Sequence, residues 1–308
     1  MRRLCAVLIF GTGVLLSQKG GSPFAGRWDI TVTTPNSTYP QWMELVNKDG
    51  NPEVRVQPRG GSVRPVSVVK AEGSRLSLLI AKANAKGPDV TWELTVNGDQ
   101  FTGTEKRGDA VAAQLAGVRA PALKREMPKA WTNPEPLFNG KDLTGWEPIT
   151  PSNNHWVARD GELLNEAHGA NLRSTRKFDD FKLHIEYNCP EEGNSGIYLR
   201  GRYEVQVEYE KVDANDKFHS MGSIYGFLAP LVELPRRPGT WETFDITLVG
   251  RWVTVVRNGT TTINNQEIPG ITGGALDSHE GDPGPFYFQG DHTGGMKYRN
   301  ITVSVPKR

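Results

Sequence analysis

The densest chemistry in the chain lies between Asn194 and Glu210, which reads NSGIYLRGRYEVQVEYE: two alternating runs separated by Gly201-Arg202. Side chains alternate across a strand, so Tyr198 and Arg200 share one face of the first run. In the second run Glu204, Gln206 and Glu208 share one face, and Tyr203, Val205, Val207 and Tyr209 the other. The apolar set must face a core. Three long hydrogen-bonding side chains, beside Tyr198 and Arg200, can then grip a polyol and set a carboxylate against it. A plain solvated sheet face shows the same alternation, and alternation alone favours that simpler reading. Two features weigh against it. A Gln stands between the two Glu where Lys or Thr would be ordinary, and a second polar group, Gln289-Gly290-Asp291-His292, follows a strand end. His292 there can act as an acid, a base or a metal ligand, although a single His taken alone is more often structural.

These residues need a scaffold, and the sequence around them reads as strands. From Leu137 to the end, runs at 181–188, 195–200, 203–209, 223–227, 241–249, 252–257, 285–289 and 297–305 alternate or are continuously apolar. Asn258-Gly259 is a tight hairpin turn. All six histidines lie in this region, and no helical period runs beyond about two turns. Sequential strands with long loops predict an all-β, two-sheet sandwich of jelly-roll type over residues 137–308, with a concave sheet where a ligand can sit.

The preceding region, 23–118, predicts a small antiparallel sheet or barrel of six or so strands, with Trp28, Trp42 and Trp92 in its core. It has no histidine and no motif for chemistry. Residues 119–136 carry Pro121, Pro128, Pro134 and Pro136 among charges and read as a linker, so the two regions are expected to fold separately. A chain starting near Ala130 is then expected to keep its activity. At the N-terminus, Arg2-Arg3 and the apolar run from Leu4 to Leu16 are too short for the ~20 residues that span a bilayer. Residues 1–22 fit a secretory signal peptide, and the mature protein is expected to be periplasmic or extracellular, with no transmembrane segment.

Composition narrows the function. Lys plus Arg total 36 against 35 for Asp plus Glu, so the strongly basic profile of a nucleic-acid binder is absent. Cys5 and Cys189 are the two cysteines, which excludes a disulfide framework and an all-Cys metal site.

Several motifs in order carry a family resemblance: LFNGKDLTGW at 137–146, His155-Trp156, Asp160-Gly161-Glu162-Leu163, the NSGIYLRGRYEVQV run, Asn258-Gly259, FQGDH and YRNITV. Together they span residues 135–308, and the region resembles the 3-keto-disaccharide hydrolase domain family, whose fold is similar to that of the concanavalin A-like lectins and glucanases. The chain departs where members often have an Asp shortly after YEVQ; Glu208-Tyr209-Glu210 stands there.

The resemblance implies a carbohydrate partner, an oxidised glucoside or disaccharide. A ketone at C3 acidifies the C2 hydrogen, so a carboxylate can abstract it and the C1 substituent can leave by elimination before water adds. In this reading Glu204 is the base, Arg200 the cationic stabiliser, and His292 serves the leaving group or binds a divalent metal, the one cofactor left open. Tyr198, Gln206, Glu208, Gln289 and Asp291 bind and orient the substrate. Two other classes stay open, a non-catalytic lectin-like module and a conventional glucanase. The glucanase would pair Glu204 with Glu208, but i and i+4 on a strand lie ~13 Å apart, beyond the ~5–9.5 Å such pairs need.

Overall fold

A computed structural model describes residues 21–49, 51–82, 87–211 and 216–307. The expected signal peptide falls, in its residues 1–20, outside the described residues. The described chain is all-β; its helical content is a single 3-10 turn at Pro151–Asn153. No described helix is long and apolar enough to cross a membrane.

Eight antiparallel strands from Gly26–Thr33 to Ala110–Arg119 form a closed barrel, the first pairing with the last from Trp28↔Arg119 to Thr33↔Gln114. The barrel encloses Trp28, Met43, Leu45, Val56, Leu78, Trp92 and Phe101. Two of its strands, Thr38–Lys48 and Ala110–Arg119, escape the sequence reading. In the first, Gln41, Trp42, Met43, Glu44 and Leu45 are all buried, so no alternation survives. One side faces the barrel interior and the other a second body of protein.

That second body is a β-sandwich. A five-stranded sheet runs Trp146–Pro148, Leu172–Ser174, Tyr287–Phe288, Asn194–Leu199, Tyr203–Glu208. Opposite lies a sheet of seven main strands, with Met296–Ser304, Phe181–Asn188 and Trp241–Val249 at its centre. The sheets meet through aromatic contacts: Phe286 lies edge-on to Phe181 with centroids 4.7 Å apart, and Phe288 stacks on Tyr298 at 4.7 Å. Ser223–Phe227, expected as a strand, makes only isolated bridges. It caps instead. Tyr203–Glu208 is the edge strand of the smaller sheet, and this segment satisfies its outer side: Gly222 N–H donates to Gln206 O at 2.8 Å, Gln206 N–H to Ser223 O at 3.0 Å, and Tyr225 N–H to Glu204 O at 3.1 Å.

Barrel and sandwich share structure. Trp42 belongs to the hydrophobic core of the sandwich, where it meets Phe227 edge-on at 5.4 Å. Arg27 pairs with Glu267 at 2.5 Å, Thr31 bonds Ser278 at 2.6 Å, and Gly60 N–H donates to Gly273 O at 2.7 Å. Asp29 of the barrel sits against Glu280 of the sandwich, which also takes bonds from Tyr203 at 2.6 Å and Arg251 at 2.5 Å. Burial, with Glu280 beside it, pushes the Asp29 carboxyl well above its usual range, so it meets Glu280 as a proton donor. The stretch read as a linker, 119–136, is bonded to the sandwich at several points. Leu123 and Pro121 carbonyls accept from Arg251, Arg125 pairs with Asp179 and Asp180, and Glu135–Pro136 pairs with Thr302 and Val303.

Candidate active site

On the face of the smaller sheet turned away from the core, three strands present a lattice of side chains. Register places Tyr287 beside Tyr198 beside Glu204; Gly196 stands beside Gln206, with Gln289 N–H donating to the Gly196 carbonyl at 3.0 Å; Asn194 stands beside Glu208. All these groups but Gly196 line one cavity of about 310 Å³, bordered also by Tyr225, His219, Gly274 and the barrel's Gly60. The polar face of the Tyr203–Glu208 strand is therefore a cleft wall and not a solvated surface; each of its residues is buried.

Gly196 is the gap in the lattice. A Cβ there would stand 2.3 Å from Glu204 Oε1, so only glycine lets the carboxylate lean over the centre of the floor. Tyr198 O–H donates to Glu204 Oε2 at 2.7 Å and accepts from Gln289 Nε2 at 3.0 Å. Gly274 leaves room for that hydroxyl, since a Cβ there would lie 2.1 Å from Tyr198 Oη. Gly196→Ala is expected to keep the fold, because its strand backbone suits Ala, and to lower turnover about 10²-fold, the typical loss for a displacement near 1 Å. Turnover assays beside a thermal melt check this; undiminished turnover would show that Glu204 does not act from this position.

Burial drives the electrostatics. It pushes the Glu204 carboxyl up to about 8, against the Tyr198 hydrogen bond and nearby His292, which favour the charged form. Burial likewise raises Glu208 to about 7, although Gln206 Nε2 donates to its Oε2 at 2.7 Å. The Asp291 hydrogen bond, 3.0 Å from His292 Nδ1, raises the imidazole above its ordinary value. Asp291 is itself lowered: its burial opposes this, but bonds from His292 and Asn171 outweigh it. Two carboxyls that hold protons near neutrality and an imidazole that keeps its own are the equipment for proton transfer.

Four acceptors in the cavity have no protein donor among the described residues: Asn194 Oδ1, Gln206 Oε1, Glu208 Oε1 and Gln289 Oε1. Buried acceptors are nearly always satisfied, so this set calls for a ligand rich in O–H donors.

The structure thus gathers Glu204, His292, Tyr198, Gln206, Glu208, Gln289 and Asp291 around one cavity. Arg200 is the exception and a correction. The strand ends at Leu199 and Arg200 takes φ +53°, which turns its side chain to the opposite face. There it is buried, bonding Tyr203 Oη at 2.9 Å, Gly250 O at 3.0 Å and Asp179 at 3.2 Å. No group of three or more His, Cys, Asp or Glu among the described residues is placed to hold a metal ion. His292 has Asp291 beside it, at 3.0 Å. Residues the sequence reading missed are Asn194 and Tyr287, which period two from Tyr198 and Gln289 would have found, and Glu210, His219, Tyr225, Gly60 and Gly274, which loops bring in.

A carboxylate cleft edged by unpaired acceptors, set on a β-sandwich, marks a carbohydrate-acting enzyme. Residues 133–304, more than half the chain, match the model of the 3-keto-α-glucoside-1,2-lyase-like domain, and the chain belongs to that family, as the motif resemblance implied. Among solved structures, it is similar to a "putative glycosyl hydrolase" from Parabacteroides distasonis at 29% identity, covering 58% of this chain and 92% of that one with a TM-score of 0.49. A second protein of the same description and organism matches at 19% identity, over 56% and 92% of the two chains, with a TM-score of 0.44. A non-specific endo-β-1,3(4)-glucanase matches at 9% identity, over 59% and 94%, with a TM-score of 0.33. No curated protein matches.

Proposed function

We propose that the protein cleaves the glycosidic bond of 3-keto-glucosides by elimination followed by hydration. The observation that carries this reading is Glu204, a carboxyl raised to about 8 by burial and placed by Gly196 at the centre of a ring of unpaired hydroxyl acceptors. Glu204 takes the C2 proton, acidified by the adjacent ketone, and the electron pair forms an enolate. The enolate expels the C1 substituent, whose oxygen takes a proton from His292. Water then adds at C1 while C2 regains a proton, so the balance is a hydrolysis. Arg200 being elsewhere, His292, whose hold on its proton Asp291 strengthens, is the group at the cavity that meets the enolate as a cation. Asn194, Gln206, Glu208 and Gln289 receive sugar hydroxyls on their free oxygens. We read the sandwich as a concanavalin A-like jelly roll, from its two face-packed antiparallel sheets, and the mature protein as exported, from its N-terminal apolar run.

The test is incubation of the purified protein with a 3-keto-glucoside and with the unoxidised glucoside, each with and without chelator. Cleavage of the keto-sugar alone is expected, and chelator is expected to leave it unchanged. Cleavage of the unoxidised glucoside would favour a glucanase, and binding of either without cleavage would favour a lectin.

A further inference from the structure

A second cavity, of about 460 Å³, adjoins the first, and Glu208 and Glu210 border both. Its chemistry is different. Tyr209, Met221, Pro230, Val232 and Leu234 give it an apolar wall, and charged side chains, among them Lys217, Glu233 and Arg236, line the rest. The surface around it is apolar as well. Phe218, Leu231 and Val232 are 48%, 64% and 47% exposed, and Ile149 is the other large hydrophobic residue so exposed among the described residues of the sandwich. Single exposed hydrophobes are ordinary, but a cluster beside a polar cleft marks a ligand groove.

Position decides what the groove receives. Register sets Glu208 beside Asn194, and Asn194 N–H donates to Thr293 Oγ1 at 2.6 Å, which brings His292 to the same end of the cleft. That is the end where a departing oxygen would collect its proton. A substituent on that oxygen leaves the polar cavity past Glu208 and Glu210 and enters the second one. A second sugar there would turn the hydroxyls of one face against Met221, Pro230, Val232 and Leu234, which can bond none of them. An aromatic ring meets these walls without such a loss.

The geometry points to the second cavity as the leaving-group subsite of the enzyme, shaped for an apolar, ring-bearing aglycone. This rests on reading the first cavity as the sugar site. It is tested by titrating the purified protein with phenyl glucoside, methyl glucoside and a glucose disaccharide, none of them oxidised, so that no turnover is needed. One methylene in an apolar pocket is worth about tenfold or more in discrimination, so phenyl glucoside is expected to bind at least about tenfold tighter than methyl glucoside. The ratio is expected to fall toward one in Val232→Asp and Leu234→Asp, and to persist in Val111→Asp, a like charge placed on the distant barrel surface. Thermal melts check that all three variants stay folded. Equal affinities, no measurable binding of phenyl glucoside, preference for the disaccharide, or a ratio unmoved in both groove variants would each overturn the subsite. Aryl preference in a protein that leaves 3-keto-glucosides intact would overturn the proposed reaction and leave the groove standing.

Discussion

Glu204→Gln protein loses about 10²–10⁴ of its turnover of a 3-keto-glucoside and stays folded, because the substitution removes the general base and little else. Gln keeps the shape and can still accept the Tyr198 hydroxyl proton. Its stability shifts in the direction the buried carboxyl dictates. Glu204 titrates at about 8 folded against an ordinary 4.5, so folding weakens as pH rises through that interval. Each unit is worth about 1.4 kcal/mol. Gln carries no such cost, so the variant is expected to melt several degrees higher than the parent at pH 8 and to lose that advantage below about pH 4.5. The pH profile of the parent follows from the same group: ionisation of Glu204, with its carboxyl at about 8, raises kcat/KM, and loss of the His292 proton lowers it. Near-normal turnover in folded Glu204→Gln protein would remove Glu204 as the base and direct attention to Glu208 and His292.

The second large effect concerns the barrel. A chain beginning near Ala130 is expected to be insoluble or to melt broadly and to lack activity. It would leave the Trp42 site in the sandwich core unfilled, a loss of the kind that costs about 3–5 kcal/mol when a buried Trp is truncated. It would also strip Asp29 from Glu280 and remove the Gly60 wall of the cleft. Against a typical stability of about 5–15 kcal/mol these losses are severe. Trp42→Ala in the full chain isolates the packing part and is expected to lower the melting temperature with the cleft residues intact. A sandwich that melts cooperatively and turns over substrate without its barrel would show that the two regions fold separately.

The cleft strand was legible because one face is apolar core and the other polar, and period two separates them cleanly at Val205 and Gln206. Its assignment to a cleft needed the capping loops, which alternation does not encode. Thr38–Lys48 was illegible for the opposite reason: both faces are buried, so Trp42 and Met43 give no alternation to follow. Ala110–Arg119 carries small residues whose contrast with their neighbours is weak. Arg200 was misplaced because the left-handed turn that follows Leu199 breaks the period at the last residue of the run. Prolines between 119 and 136 marked an irregular path, and irregular is not the same as free; the carbonyls of that path are spoken for by Arg251.

The placement of Tyr203–Glu208 at the sheet's edge has a consequence for the protein's behaviour in concentrated solution. An uncovered edge offers unpaired backbone groups to any strand that drifts past. Here Gly222, Ser223 and Tyr225 occupy those groups. Proteolytic nicking or mutation that peels this cover away would expose a strand able to recruit its own copies, and it would open the cleft in the same event. Loss of activity and onset of aggregation should therefore travel together in damaged preparations, with the 222–225 segment as their common origin.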